Sequence, residues 1–262
     1  METLQALTQY YGSYDEDHRL CSRRGMVEYL TTMRYIDKFL QPGMRILEIG
    51  AATGRYSHAL ARRGYQVDAV ELIQHNIDIF NTLTQTGENV TIRQGNAKDL
   101  SFIGDETYDI TLLLGPMYHL FTVEDQLQAL KEAIRVTKKG GILFVAYCGN
   151  DATMVQYCFG RGMLKEDKYR KLVDPVTFKA ASDPAELFEL YRKEDIDALI
   201  SRFNVQRLHY IGTDMATNYM RPVIDEMDDE FFALYLKYHF TICERADMVG
   251  TSHHILDVLR KE

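Results

Sequence analysis

The chain has 262 residues, 46% apolar and 26% charged, with a net charge of −8 at pH 7. That composition suits one large α/β domain, or a smaller one carrying an insertion, and excludes a disordered segment. The acidic balance disfavours a nucleic-acid partner, whose phosphates need clustered Lys and Arg. The densest basic stretch (Arg161, Lys165, Lys168, Arg170, Lys171) is broken by Glu166 and Asp167 and reads as a solvated helix face.

Cys21, Cys148, Cys158 and Cys243 are scattered without a CxxC pair, so neither a zinc site nor a disulfide framework is expected. The N-terminus lacks the apolar core of a secretory signal, and no apolar run reaches the roughly 20 residues of a membrane helix. The expectation is a reduced, cytoplasmic protein with no membrane partner.

In chain order, Arg23 to Leu40 carries Met26, Leu30, Met33 and Phe39 at helical spacing and stops at Pro42-Gly43. A strand follows at Met44 to Ile49, a turn at Gly50 to Gly54, and a helix at Tyr56 to Arg63 with Gly64 as C-cap. Gln66 to Leu72 reads as a strand, Gln74 to Leu83 as a helix, and Val90 to Arg93 and Tyr108 to Leu114 as strands. Thr122 opens the next helix with a capping-box pattern; its face is Val123, Leu127, Leu130 and Ile134, and Lys138-Lys139-Gly140-Gly141 should close it. Ile142 to Tyr147 is the next strand.

From Asn150 to Asp183 the rhythm fails, and the stretch reads as a largely helical insertion. It resumes with Leu187 to Tyr191, a helix at Lys193 to Phe203, a strand at Val205 to Ile211, a long helix at Asp229 to Ala246 and a last strand at His254 to Leu259. Short apolar strands alternating with helices predict a parallel sheet covered on both faces.

A strand, a Gly-containing turn and a helix mark a nucleotide site in such a sheet. G-x-G-x-x-G fails, because Ala52 and Arg55 fill its second and third glycine positions, and no Walker loop is present. A nicotinamide oxidoreductase is thereby disfavoured. The spacing fits E-x-G-x-G-x-G with one substitution: Glu48, Gly50, Ala52, Gly54.

Here the chain resembles the class I S-adenosylmethionine-dependent methyltransferases. Glu71 follows Val67-Asp68-Ala69-Val70, where that family places an acid on the ribose hydroxyls; Gly95-Asn96-Ala97 matches its adenine-binding turn. Leu114-Gly115-Pro116-Met117-Tyr118-His119-Leu120 resembles the G-P-L-Y-H-L signature of a bacterial subgroup of small methyltransferases, as does the tail Ser252-His253-His254-Ile255-Leu256.

The resemblance implies a Rossmann-like, doubly wound, mostly parallel seven-stranded α/β sheet with a helical lid insertion. Residues 1–40 would be a helical cover, 41–149 the S-adenosylmethionine-binding core, 150–183 the lid, and 184–262 the rest of the core. Residues expected at the cofactor are Tyr11, Glu48, Gly50, Ala51, Ala52, Gly54, Arg55, Tyr56, Glu71, Leu72, Asn96, Ala97 and Leu114.

Catalytic candidates are His119 as general base, since its ordinary pKa of about 6.5 suits proton removal near neutrality, with Tyr118 and Tyr14. Tyr147 is expected nearby, and Met154, Tyr157, Phe159 and Met163 as apolar lid walls. His253 and His254, beside an expected sheet edge, should point to opposite faces as strand neighbours, and no metal site is expected. The acceptor implied is a small molecule methylated at O or N. The alternatives are a protein or RNA acceptor, and an S-adenosylmethionine-binding module without catalysis.

Overall fold

The computed structural model describes residues 2–13 and 20–262. Eight strands form one sheet: β1 (Arg45–Ile49), β2 (Gln66–Glu71), β3 (Val90–Gln94), β4 (Tyr108–Leu113), β5 (Thr137–Gly149), β6 (Leu190–Tyr191), β7 (Val205–Gly212) and β8 (His254–Lys261). The main path runs β3-β2-β1-β4-β5-β8-β7, and the two-residue β6 pairs with the end of β5. The eighth strand is the one departure from the expected seven; Leu187 to Tyr191 contributes only its last two residues.

β1 to β5 are parallel, and β8 runs antiparallel between β5 and β7. His253 and His254 therefore stand at an interior strand, not at the expected edge.

Alternation sends successive side chains to opposite faces, and both faces are apolar. Leu47, Leu113, Leu143, Val145 and Tyr147 pack on one side under the helices Val123–Val136 and Lys193–Ile200. Ile46, Val67, Ile110, Leu112 and Phe144 pack on the other under the helices Arg23–Asp37, Arg55–Ala61 and Asp229–Ile242. Continuous apolar strands follow from burial on both faces.

Two local expectations are corrected. The helix Val123–Val136 buries Ala129, Leu130, Ala133 and Val136, whereas Val123 is 56% exposed. Leu130 is fully buried and Leu127 and Ile134 pack against the same core, so only Val123 departs from the expected face; Ala129 and Ala133 add close approach to the sheet. Lys138 to Gly141 does not cap this helix. Thr137 ends it, its hydroxyl bonded to Ala133 O at 2.7 Å, and β4–β5 pairing jumps from Tyr108–Thr137 to Ile110–Ile142. The glycines thus form a bulge, with Gly140 at φ +75°.

Candidate active site

The sheet order reverses between β1 and β4, and the loops after these strands meet above the gap, the usual position for a ligand in such a fold. After β1, Gly50 and Ala51 donate their N–H groups to Val70 O at 2.8 and 3.2 Å, tying the turn to β2. Gly50 has φ +77°, and a Cβ there would lie 2.7 Å from Pro116 Cδ. A Cβ on Gly115 would lie 3.3 Å from Gly50 O, so the two loops need glycine where they touch.

One cavity of about 540 Å³ opens here, ample for a small-molecule cofactor. Its wall contains Glu48, Gly50, Ala51, Ala52, Arg55, Tyr56, Glu71, Leu72, Asn96, Ala97, Leu114, Tyr118, His119 and Tyr11. Gly54 is the exception. Its positive φ of +89° starts the helix Arg55–Ala61, and its Cα faces Phe80, so its glycine requirement is packing under the turn. Tyr14 falls outside the described residues. Helix α1 (Glu2–Ser13) closes the cavity with Leu4, Leu7 and Tyr11.

Glu71 is buried at the end of β2. Its Oε2 accepts from Ala52 N at 2.9 Å, and its Oε1 from Ile73 N at 2.9 Å and Asn76 Nδ2 at 3.2 Å. Burial pushes its carboxyl up from the ordinary range while these three donors pull it back. Ala52 adopts φ +47°, a left-handed conformation that its methyl group resists. The one substitution in the glycine pattern thus places a methyl group on a strained backbone.

Asn96 Oδ1 accepts from Lys98 N at 3.0 Å, which sets the side chain at the cavity wall. Glu48 points beneath the turn, accepting from Ser57 N at 2.9 Å and from the Ser57 hydroxyl. Burial, with Glu71 nearby, lifts its carboxyl to about 8 against the pull of Ser57. Arg55 lays its guanidinium over Tyr29, 4.8 Å from the ring centre.

His119 Nδ1 bonds Leu187 O at 2.8 Å, which assigns its proton to Nδ1, and Nε2 accepts the Tyr11 hydroxyl at 2.9 Å. Burial pushes its pKa down to about 4. The Tyr118 hydroxyl donates to Leu114 O at 2.8 Å.

A second cavity of about 490 Å³ adjoins the first, and Tyr11, Glu28, Tyr118 and His254 belong to both walls. Of the expected lid walls, Tyr157 and Met163 line it, Met154 is buried, and Phe159 is 61% exposed. Tyr147 lines neither. It points into the core beneath β5, 5.0 Å from the ring of Tyr191.

Sequence reading missed Glu28 and Asp214 and gave His254 no role. Asp214 lies just beyond β7, and His254 opens β8. Because β8 is antiparallel, its start and the end of β7 reach the same sheet edge. An acid two residues past a strand was the available signal; the direction of β8 was not. His254 Nδ1 stands 2.7 Å from Asp214 Oδ2 and 3.3 Å from Glu28 Oε2. The expected separation of His253 and His254 onto opposite faces also fails, since both line the second cavity. His253 precedes the strand, where alternation does not apply.

Residues 47–145 match the family model of a methyltransferase domain. The chain is 31% identical over 157 residues to demethylmenaquinone methyltransferase of Clavibacter sepedonicus, covering 60% of this chain and 59% of that one. It is 29% identical over 146 residues to cypemycin N-terminal methyltransferase of a Streptomyces species, covering 52% and 56%. It thus spans little more than half the length of either relative. In fold it resembles an S-adenosylmethionine-dependent methyltransferase from Thermotoga maritima, over 98% of this chain and 99% of that one, with TM-score 0.58 and 18% identity. Residues 47–145, from β1 into β5, thus match a methyltransferase domain, and they lie in a Rossmann-like sheet.

Proposed function

We propose that the chain as a whole transfers a methyl group from S-adenosylmethionine to the O or N of a small molecule. One observation carries this reading: the Gly50 turn, Glu71 and Asn96–Ala97 line one cavity, which shares walls with a second of about 490 Å³. The cofactor supplies an activated methyl group on a sulfonium, so the protein's task is chiefly to align and desolvate.

In this reading, Glu71 accepts from the ribose hydroxyls. Asn96 Oδ1, with a second lone pair beyond Lys98 N, accepts from the adenine amino group, and Ala97 N–H donates to the ring. The acceptor occupies the second cavity, under the 150–183 segment as lid. His119, neutral through burial and bonded to Tyr11, positions that tyrosine at the junction and is a weak proton acceptor. Methylation of demethylmenaquinone or of the cypemycin N-terminus belongs to the named relatives; their chemistry supports methyl transfer here and leaves the acceptor to experiment.

The test is a calorimetric titration with S-adenosylhomocysteine and NADH, then turnover of methyl-labelled cofactor with fractionated bacterial extract. Binding of the first ligand alone, with label in the small-molecule fraction, is expected. Label confined to protein or RNA would defeat the small-molecule reading, and binding without any label would make the chain a non-catalytic module.

A further inference from the structure

The junction of the two cavities contains a histidine whose surroundings fit a proton acceptor better than His119 does. We propose that His254, held by Asp214, removes the proton from an aromatic O–H or N–H acceptor in the second cavity; this rests on the methyltransferase reading above.

Asp214 is buried and saturated with donors. Its Oδ1 accepts from Ser252 Oγ at 2.6 Å, His253 N at 2.9 Å and His254 N at 3.2 Å; its Oδ2 accepts from Asn218 Nδ2 and His254 Nδ1 at 2.7 Å. A carboxylate offers about four acceptor sites, so none remains for a cation. Glu28, Asp214 and His254 bring three potential ligand atoms within 4.8 Å of one another, and the five donors already on the Asp214 carboxylate favour the hydrogen-bonded Asp214–His254 pair over a metal site.

Although burial opposes it, His254 holds the Asp214 carboxyl well below the usual carboxylate range. An anionic acceptor at Nδ1 fixes the ring with its proton there and makes Nε2 the basic nitrogen, as in other Asp–His pairs.

The second cavity also points to the class of ligand. The rings of Tyr157, Tyr169 and Phe188 line it, offering faces and edges to a flat aromatic molecule. His253 lines it as well; it is 7% exposed, and its buried Nε2 has no hydrogen-bond partner among the described residues. The acceptor's X–H bond breaks with its electron pair left on X and its proton on His254 Nε2. The new X–C bond forms as the C–S bond breaks with its pair on sulfur. The imidazolium then returns its proton to water.

The charged and titratable groups lining the cavity with His254 are Glu28 and Arg24 from the helix Arg23–Asp37, Tyr10 and Tyr11 from α1, and Tyr118 from its turn. Asp214, Arg221 and His253 complete them near the ends of β7 and β8, with Tyr157, Tyr169, Cys148, Cys158 and Asp183 beyond.

The experiment uses the full chain labelled with ¹⁵N-histidine, followed by long-range ¹H–¹⁵N NMR from pH 5 to 9. Neutral His254 is expected as the Nδ1–H tautomer, and Asp214→Asn should lower its midpoint by about one pH unit or more. In parallel, His254→Gln should bind S-adenosylhomocysteine within twofold of wild type, while label transfer to the small-molecule fraction falls roughly 10²–10⁴-fold and loses its acidic limb. His254→Gln keeps the test decisive if Asp214→Asn fails to fold.

Wild-type turnover and pH profile in His254→Gln, an Nε2–H tautomer, or label arriving on a non-aromatic product would each overturn the proposal. So would activity abolished by EDTA and restored by a divalent cation. Failure of wild type to bind S-adenosylhomocysteine would instead defeat the underlying reading.

Discussion

Replacing Glu71 by Gln probes the hinge between turn and cofactor. The Gln carbonyl can still accept from Ile73 N and Asn76 Nδ2, the partners of Oε1. Its NH₂ group then faces Ala52 N, which now donates to Oε2 across 2.9 Å, setting donor against donor. A buried donor left without an acceptor costs about 1–3 kcal/mol. In the proposed complex the ribose hydroxyls lose one carboxylate oxygen at the same place. Part of the cost falls on the empty protein and part on the complex. A loss of about 1.5–3 kcal/mol in binding corresponds to roughly 10- to 150-fold weaker affinity for S-adenosylhomocysteine. Calorimetric titration measures it, with a thermal scan of the unliganded variant separating the folding component. Affinity within twofold of wild type would refute the role assigned to Glu71, whatever the melting temperature does.

Three further outcomes follow from the same geometry. Ala52→Gly relieves the left-handed strain at φ +47°, so stability should rise by roughly 0.5–1 kcal/mol with cofactor affinity retained; a lower melting temperature would contradict the strain assignment. Glu48 holds its proton in the folded state up to about 8, against about 4.5 unfolded, so its stabilising contribution is complete below the lower value and lost as pH rises through the upper one. Denaturation of wild type and Glu48→Gln across that window should therefore show the wild type losing ground with rising pH, and parallel curves would exclude it. Tyr11→Phe removes the hydroxyl that donates to His119 Nε2; if His119 acts only through Tyr11, this variant and His119→Ala should slow turnover by similar factors, and a far larger effect of His119→Ala would restore His119 as the base.

That the Gly50 turn, Glu71 and Asn96–Ala97 share one cavity was legible because the signal is local. Gly50, Glu71 and Asn96–Ala97 each stand at or just past the end of a strand, and parallel strands carry such ends to one edge of the sheet. Periodicity failed at the helix start, where Val123 is exposed, and where a bulge imitates a helix end, as at Lys138 to Gly141.

What the sequence determined by itself was therefore the α/β class and the grouping of the Gly50 turn, Glu71 and Asn96–Ala97 around one cavity, since short-range spacing encodes both. Tertiary structure alone decided the second cavity. Glu28, Asp214 and His254 come from three distant segments, and they meet only because β8 runs antiparallel between β5 and β7. It likewise turned Tyr147 into the core and set His119 against Tyr11, because burial and partner, not residue type, determine what a side chain can do.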